Sequence, residues 1–409
     1  MDSLKILNYQ GSKKNLIPFI HRQVASDILP NHTILDIFSG TCSVGYSFKR
    51  TNRVYANDCE RYAFVIAQAL LGNYFNDSHK GLLTKTKQLF DKNHKLVLRR
   101  YKDIIDDESL VLNKSNSNEA AEFYSTIPTI WNGGVDTCGT EFDLFLRYYP
   151  NSYFGTLQAA EIDSIRFAVE ELRHTGLYAP MMAALYFAMK ECVFAKDGHM
   201  AQPLDIKKNF SKLLRVRKRS IFELFISKLE EFFSESFVLS PHDNKAFNMN
   251  FIDLLDLPEI RQDVDVIYAD PPYTDMQYSR YYHILNFATY YKPLSPTFIN
   301  GTHTKGLYTE ERYQSNLSTK GKSLKTFTAL IDFSRAYKKD LIISFAYPAN
   351  VVEQKTDRYV MTISSLIDSC KSSFGKKNVK VHSCEYSHSN NRNSKQKEVL
   401  EYLIVCKSF

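Results

Sequence analysis

The chain has 409 residues, long enough for more than one domain at about 100–200 residues each. Its 44% apolar and 24% charged content excludes a disordered or low-complexity class, and its seven cysteines, none in a C-x-x-C pair, argue against a zinc ribbon or a disulfide framework. A net charge of +7 is compatible with a polyanionic partner but falls short of an architectural DNA-binding protein, and no apolar run reaches the ~18 residues of a membrane span.

In chain order, "NYQGSKKNLIPFI" (Asn8 to Ile20) reads as a loop ahead of the first strand. Gly11 permits a tight turn there, and Lys13 offers a cation to a ligand carboxylate, although the segment taken alone is an ordinary solvated loop. "TILDIFSG" (Thr33 to Gly40) reads as a strand ending in a glycine turn, and "VYANDC" (Val54 to Cys59) as a second strand, followed by a helix from Arg61 to Leu71. From about Asn73 to Glu235 the pattern changes to long charged helices such as "AAEIDSIRFAVEELRH", with a loop-like region from Trp131 to Asp143. Strands return at Ser236 to Ser240, Asp263 to Asp270, Asp340 to Tyr347, Val379 to Ser387 and Glu398 to Lys407. No helix separates the last two, so an antiparallel hairpin is expected to close one edge. The expected fold is α/β: one Rossmann-like sheet whose strands are interrupted by a mainly helical insertion, with parts at 1–72, 73–235 and 236–409.

In "ILDIFSGTCSVG", Asp36 lies on a strand, and Gly40 and Gly45 bracket the turn into the next helix. Such glycines let a ligand approach the backbone at the carboxyl end of a parallel strand. Asp58 sits at the tip of the following strand, where an acid accepts both hydroxyls of a ribose. G-x-G-x-x-G is absent, as is the Walker Lys-Ser/Thr, so the pattern fits an adenosine ligand without phosphates better than NAD or ATP. The competing reading is a simple glycine turn with a capping Asp.

"VIYADPPYTDMQYSRYY" (Val266 to Tyr282) carries an acid to the tip of a buried strand, where two prolines end the ladder. An amine conjugated to an aromatic ring is a poor nucleophile because its lone pair is delocalised. Asp270 and a carbonyl fixed by the rigid Pro271-Pro272 pair, accepting its two N–H bonds, favour a more electron-rich nitrogen. Tyr273 is placed to stack on the ring. The amine can then attack a methyl group on a sulfonium, and the chemistry needs no metal. The competing reading is an ordinary Pro-rich turn.

Together these residues resemble the N6-adenine DNA methyltransferases of the Dam-like, D12 class, and in particular its restriction-associated members. The motifs are "YQGSK", "LDIFSGTCSVG", "ANDCERYA" and "DPPY", in the order that puts target recognition between the cofactor and catalytic halves. Longer stretches are similar as well: "YFGTLQAAEIDSIR", "FAKDGHMAQP", "DPPYTDMQYSRYYHIL" and "KGLYTEERYQSNLSTKG". The resemblance implies S-adenosyl-L-methionine as methyl donor and an adenine flipped out of double-stranded DNA. It assigns Tyr9, Gly11, Lys13, Asp36, Phe38, Ser39 and Gly40 to the methionine end of the donor, Asp58 to the ribose, and Asp253 in "FNMNFIDLL" to the donor's adenine. Asp270, Pro271, Pro272 and Tyr273 hold the target amine, with Asp270 also bordering the donor. Cys42 stands where the family usually has glycine, which puts a glycine-only backbone angle there in question.

On this resemblance the inserted 73–235 region contacts DNA, with basic clusters at Lys92 to Lys102 and Lys207 to Ser220 suited to phosphates. Either cluster reads equally as a solvated helix face. Phe194 to Pro203 is expected near the target base, with His199 either a contact or a structural histidine. A soluble, cytoplasmic enzyme without a membrane segment is expected, working alongside a restriction endonuclease of the same specificity. Two other readings remain: a cytosine-N4 or RNA adenine methyltransferase, and a non-catalytic DNA-binding protein with a degenerate cofactor pocket.

Overall fold

The computed structural model describes residues 5–7, 11, 13–74, 79–135, 142–310, 312–349, 356–386 and 399–408. Tyr9, and positions 136–141 of the expected loop, lie outside the described residues. Seven strands form one sheet: β1 (Thr33–Asp36), β2 (Arg53–Asn57), β3 (Lys245–Phe247), β4 (Val266–Ala269), β7 (Asp340–Pro348), β8 (Val379–Tyr386) and β9 (Val399–Cys406). Their order is β3-β2-β1-β4-β7-β9-β8. The first five strands in that order run parallel, and β9 lies antiparallel between β7 and β8. A separate two-stranded ribbon pairs β5 (Phe298–Ile299) with β6 (Thr302–His303).

Side-chain alternation along the strands sorts the core into two layers. Ile34, Val266 and Tyr268 face one way and pack with Ile66, Met182, Leu185 and Ile284. Leu35, Ile267 and Ala269 face the other way, onto Leu254, Leu330 and Leu366. The first layer is continuous with the helices that follow β2 in sequence. Helix Thr156–Glu171 packs on His79–Arg100, and Tyr178–Cys192 packs on both Ile221–Phe232 and Arg61–Leu71. In chain connectivity these helices interrupt the sheet, yet they share its core.

One expected strand is corrected. Ser236 to Ser240 is not a strand, and β3 instead forms at Lys245–Phe247. The Asn73 side chain satisfies the Ser240 backbone, accepting from its N–H (2.9 Å) and donating to its carbonyl (2.8 Å). The Ser240 hydroxyl donates to the Lys49 carbonyl at 2.6 Å, and Phe237 packs against Tyr46, Tyr74 and Phe232. Side chains therefore hold this segment at the sheet edge without a ladder, and Asn244 accepts from Val54 N–H (2.8 Å) where the ladder begins.

Asp163, fully buried on helix Thr156–Glu171, ties three elements together. It accepts from Phe145 N–H (2.9 Å), Leu146 N–H (3.1 Å) and the Tyr291 hydroxyl (2.6 Å). Burial pushes its pKa up to about 7 despite these donors. Asp163→Ala leaves two backbone donors and a tyrosine hydroxyl unpaired, at about 1–3 kcal/mol for each group that water cannot reach. Thermal and urea unfolding should show a loss of several kcal/mol, at the large end for a single substitution.

Candidate active site

The parallel strands β1, β2 and β4 are neighbours, so their carboxyl ends open on the same side of the sheet, where a ligand crevice forms. A cavity of about 1220 Å³, counted out to its mouth, lies there. Gly11, Lys13, Asp36, Phe38, Ser39, Gly40, Asp58, Asp270, Pro271, Pro272 and Tyr273 all line it. Residues expected from separate motifs thus meet in one space. Asp253 does not line it: it lies exposed in the first turn of helix Phe251–Leu255, while Asn250, Phe251 and Ile252 beside it form the wall.

Each acid at the cavity has its own support. Asp36, almost fully buried at the end of β1, accepts from Gly45 N–H at 3.0 Å. Burial pushes its pKa up to about 7, against that hydrogen bond. Asp58 accepts from Gly40 N–H and from Glu60 N–H, each at 2.9 Å, so one carboxylate shapes the turns after both β1 and β2. Burial raises its pKa too, while the backbone donors lower it. Ionised carboxylates have about four acceptor sites, which leaves capacity toward the cavity. The Ser39 hydroxyl lines the same wall, buried and without a hydrogen-bond partner among the described residues.

At the tip of β4, Asp270 is 3.1 Å from the Lys13 ammonium, which also meets Glu401 at 2.8 Å. Burial alone would lower the Lys13 pKa, but these two carboxylates raise it well above that of an ordinary lysine. For Asp270, burial raises the pKa and Lys13 opposes the rise. Lys13, expected to meet a ligand carboxylate, is thus engaged by protein carboxylates at the cavity wall. Tyr273 is buried, its ring stacked 6.2 Å from Tyr359 and edge-on to Phe345 at 6.1 Å. Gly11 sits at φ +84°, and a Cβ there would come 3.4–3.5 Å from the hydroxyls of Tyr278 and Tyr273, so backbone conformation rather than space demands glycine.

Several wall residues escaped the sequence reading. Glu60, inside the quoted "ANDCERYA", is buried, accepts from the Asn286 amide at 2.5 Å, and has its pKa pushed up to about 7 by burial and by Asp58. Tyr313 and Ser315 to Ser318, inside the quoted "KGLYTEERYQSNLSTKG", come from a loop and one short 3-10 turn (Asn316–Ser318) with no periodic signal. Glu401, which meets Lys13 but does not line the cavity, was legible only as an acid inside the apolar strand "VLEYLIVC".

The sequence model for the D12 class N6 adenine-specific DNA methyltransferases matches residues 9–345. The chain belongs to that family. Among curated proteins, it is 26% identical over 288 residues to the modification methylase LlaI of Lactococcus lactis subsp. lactis, covering 68% of this chain and 38% of that protein. It is 23% identical over 334 residues to the type II methyltransferase M.NlaIII of Neisseria lactamica, covering 80% and 79%. To the type II methyltransferase M.FokI of Planomicrobium okeanokoites it is 21% identical over 296 residues, covering 70% and 37%. The chain thus spans well under half of two of these relatives and about four fifths of the third.

The segment Phe194 to Pro203 is fastened beside the site. Met200 N–H donates to the Tyr281 carbonyl (2.8 Å), and the Met200 carbonyl accepts from Tyr153 (2.9 Å) and meets the His283 ring (2.9 Å). Burial lowers the His283 pKa to about 3, so that ring is neutral. Tyr281 and His283 belong to helix Ser279–Tyr290, which starts at the cavity wall. His199 packs edge-on against Tyr281 at 5.2 Å. Of the second basic cluster, Arg217 reaches the carbonyls of Ser152 and Tyr153 and Lys212 that of Ala195, while Lys207, Lys208, Arg215 and Lys218 are exposed. In the first cluster, Arg100 pairs with Asp143 and Lys102 with Asp106.

Cys42 adopts φ +54°, ψ +28°, the left-handed conformation that suits glycine, and is fully buried. The departure from the family pattern therefore keeps the glycine angle while carrying a side chain, a strain of about 1–3 kcal/mol. Cys42→Gly should keep donor binding and change the melting temperature little, because relieved strain offsets lost packing. Cys42→Val, whose β-branch opposes that angle, should lower both the melting temperature and donor affinity in a thermal-shift titration.

Proposed function

We propose that the chain is a site-specific DNA adenine-N6 methyltransferase of a restriction–modification system, acting on an adenine turned out of duplex DNA. The observation that carries this is the single cavity that joins the Asp58 wall to the Asp270-Pro271-Pro272-Tyr273 turn. Its chemistry fits S-adenosyl-L-methionine: carboxylates of Asp36, Asp58, Glu60 and Asp270 surround it, matching a donor with an ammonium and a sulfonium, and the Ser39 hydroxyl awaits a partner. When bound, S-adenosyl-L-methionine supplies a methyl group activated by the positive charge on sulfur.

In this reading Asp36, Ser39 and Gly40 hold the methionine end, with Gly11 closing over it, and Asp58 takes the ribose hydroxyls. Phe38, which the resemblance assigns to the methionine end, meets Phe251 edge to face at 5.2 Å, and Phe251 flanks the donor's adenine. The Asp270 carboxylate accepts one N–H of the target amine and a carbonyl of the Pro271-Pro272 turn accepts the other, while Tyr273 contacts the ring. The bound donor would supply its methyl group to the amine nitrogen, leaving as the thioether, and the amine would give up one N–H proton. Burial makes Asp270 basic enough to receive it. The exposed lysines and arginines of the helical region meet phosphates, and the fastened Phe194 to Pro203 segment lies against the displaced strand or target base.

Labelled methyl transfer to unmethylated genomic DNA tests the reading. Transfer should appear as N6-methyladenine after hydrolysis to nucleosides, and Asp270→Ala should lower it about 10²–10³-fold, the usual cost of a lost transition-state acceptor or donor. N4-methylcytosine, or no transfer, would overturn it. A second test uses pH. Asp36 and Glu60, each pushed up to about 7, take up protons as the pH falls through about 7 in the folded chain, and a cationic donor prefers them ionised. Stabilisation by S-adenosyl-L-methionine in a thermal-shift assay should therefore be larger at pH 8 than at pH 5.

A further inference from the structure

The chain's last described strand holds an acid with no part in donor or base binding. Glu401 on β9 is 1% exposed. One of its oxygens accepts from the Lys13 ammonium (2.8 Å) and from the Ser344 hydroxyl on β7 (2.6 Å), and the other makes no hydrogen bond among the described residues. The sheet register explains the meeting. Ala269 of β4 pairs with Ile343, which places Asp270 beside Ser344, and Glu401 pairs with Ala346 two residues further along β7. Glu401 also lies on the face of β9 shared by Leu403 and Val405, the layer to which Leu16, just after Lys13, belongs. Lys13 is thus held between an acid from β4 and an acid from β9.

One ammonium facing two carboxylates leaves a net negative charge in a buried place. Stability alone does not favour this, because a buried carboxylate oxygen without a partner is costly and an amide or an apolar residue avoids the cost. The arrangement has a consequence at the other end of Lys13. A lysine given wholly to Asp270 would make that carboxylate a weak base, whereas a lysine shared with Glu401 is anchored in place and neutralises Asp270 only in part. The other groups facing this pair among the described residues are the phenols of Tyr268, Tyr273 and Tyr278 and the Asp36 carboxylate, with the Tyr359 phenol and Cys384 of β8 near Glu401. Lys13 is the cation that acts on both acids in this group.

We propose that Glu401 is a positioning residue of the methyl-transfer site: through Lys13 it fixes the Asp270 carboxylate and keeps it basic enough to take the proton of the target amine. This rests on the reading of Asp270 as the acceptor of that amine. Removing the Glu401 charge gives Lys13 to Asp270 alone, so Asp270 loses its proton at lower pH.

The test is the pH profile of kcat/KM for methyl transfer to unmethylated DNA, in the wild-type chain, Glu401→Gln and Ser344→Ala. Glu401→Gln should move the acidic limb down by about one pH unit, the scale of one close charge, and lower kcat with little change in the KM for S-adenosyl-L-methionine. Ser344→Ala, which leaves the Glu401 charge less satisfied and drawing harder on Lys13, should move the limb slightly up. An acidic limb unmoved in Glu401→Gln, with activity falling only in step with folded fraction, would overturn the proposal. If Glu401→Gln does not fold, Ser344→Ala decides, and an unmoved limb there has the same meaning. Absence of transfer by the wild-type chain would instead overturn the methyltransferase reading itself.

Discussion

Crowding of carboxylates around one buried cavity is the constraint on which the site depends. Asp36, Asp58, Glu60 and Asp270 all border it, and burial opposes the charged form of each. The protein answers mainly with neutral donors: Gly45 N–H to Asp36, the N–H groups of Gly40 and Glu60 to Asp58, and the Asn286 amide to Glu60. Neutral dipoles ease the charged forms without cancelling charge. Among the described residues Asp270 alone of the four forms an ion pair, Arg312 acting on Glu60 from further off, and Lys13 divides itself between Asp270 and Glu401. The cavity is left with an unmet demand for positive charge, and the same N–H donors set the turns after β1 and β2. Electrostatics and loop geometry are here one arrangement.

One element that fastens the helical region to this arrangement is a helix of the catalytic half. Helix Ser279–Tyr290 begins at the cavity wall with Ser279, just after Tyr278. It holds the Met200 segment through Tyr281 and His283, and the residue that ends it, Tyr291, donates to Asp163 in the heart of the helical region. Its backbone breaks from helical geometry at Tyr282 (φ −136°), between the cavity end and the end fixed on Asp163. The helical region and the cavity are therefore placed relative to each other by packing rather than by a linker, which fits the continuous core layer they share.

Much of the sheet was legible because its strands are short apolar runs bounded by Asp, Gly and Pro. The run after His32 became β1, the run ending at Ala269 became β4, and helix Arg61–Leu71 starts and stops where its pattern does. β3 was missed because Lys245–Phe247 is short and half-exposed, whereas the more apolar Ser236 to Ser240 is held by Asn73 and Lys49, long-range partners that no local pattern announces. The cavity walls built from strand tips were legible for the same reason as the strands. Tyr313 and Ser315 to Ser318 were not, because a loop and one short 3-10 turn are too brief to show a period. Lys13 shows the limit most clearly: its residue type marked a cation for the site, but only the fold reveals that Asp270 and Glu401 engage it.

Charge accounting over the proposed reaction gives this crowding a purpose. Methyl transfer turns a sulfonium into a neutral thioether and frees one proton from the amine, so the cavity loses a positive charge at sulfur as a proton becomes available nearby. Isolated surface carboxylates, with pKa values near 4, would pass that proton to water and stay charged. Asp36 and Glu60, pushed up to about 7, and Asp270, raised by burial, are poised to hold it at neutral pH. Holding it lowers the negative charge of the cavity when the positive partner has gone, which removes the attraction that drew a cationic donor in. In the proposed reaction the desolvation of these carboxylates thus favours a charged donor over its neutral product.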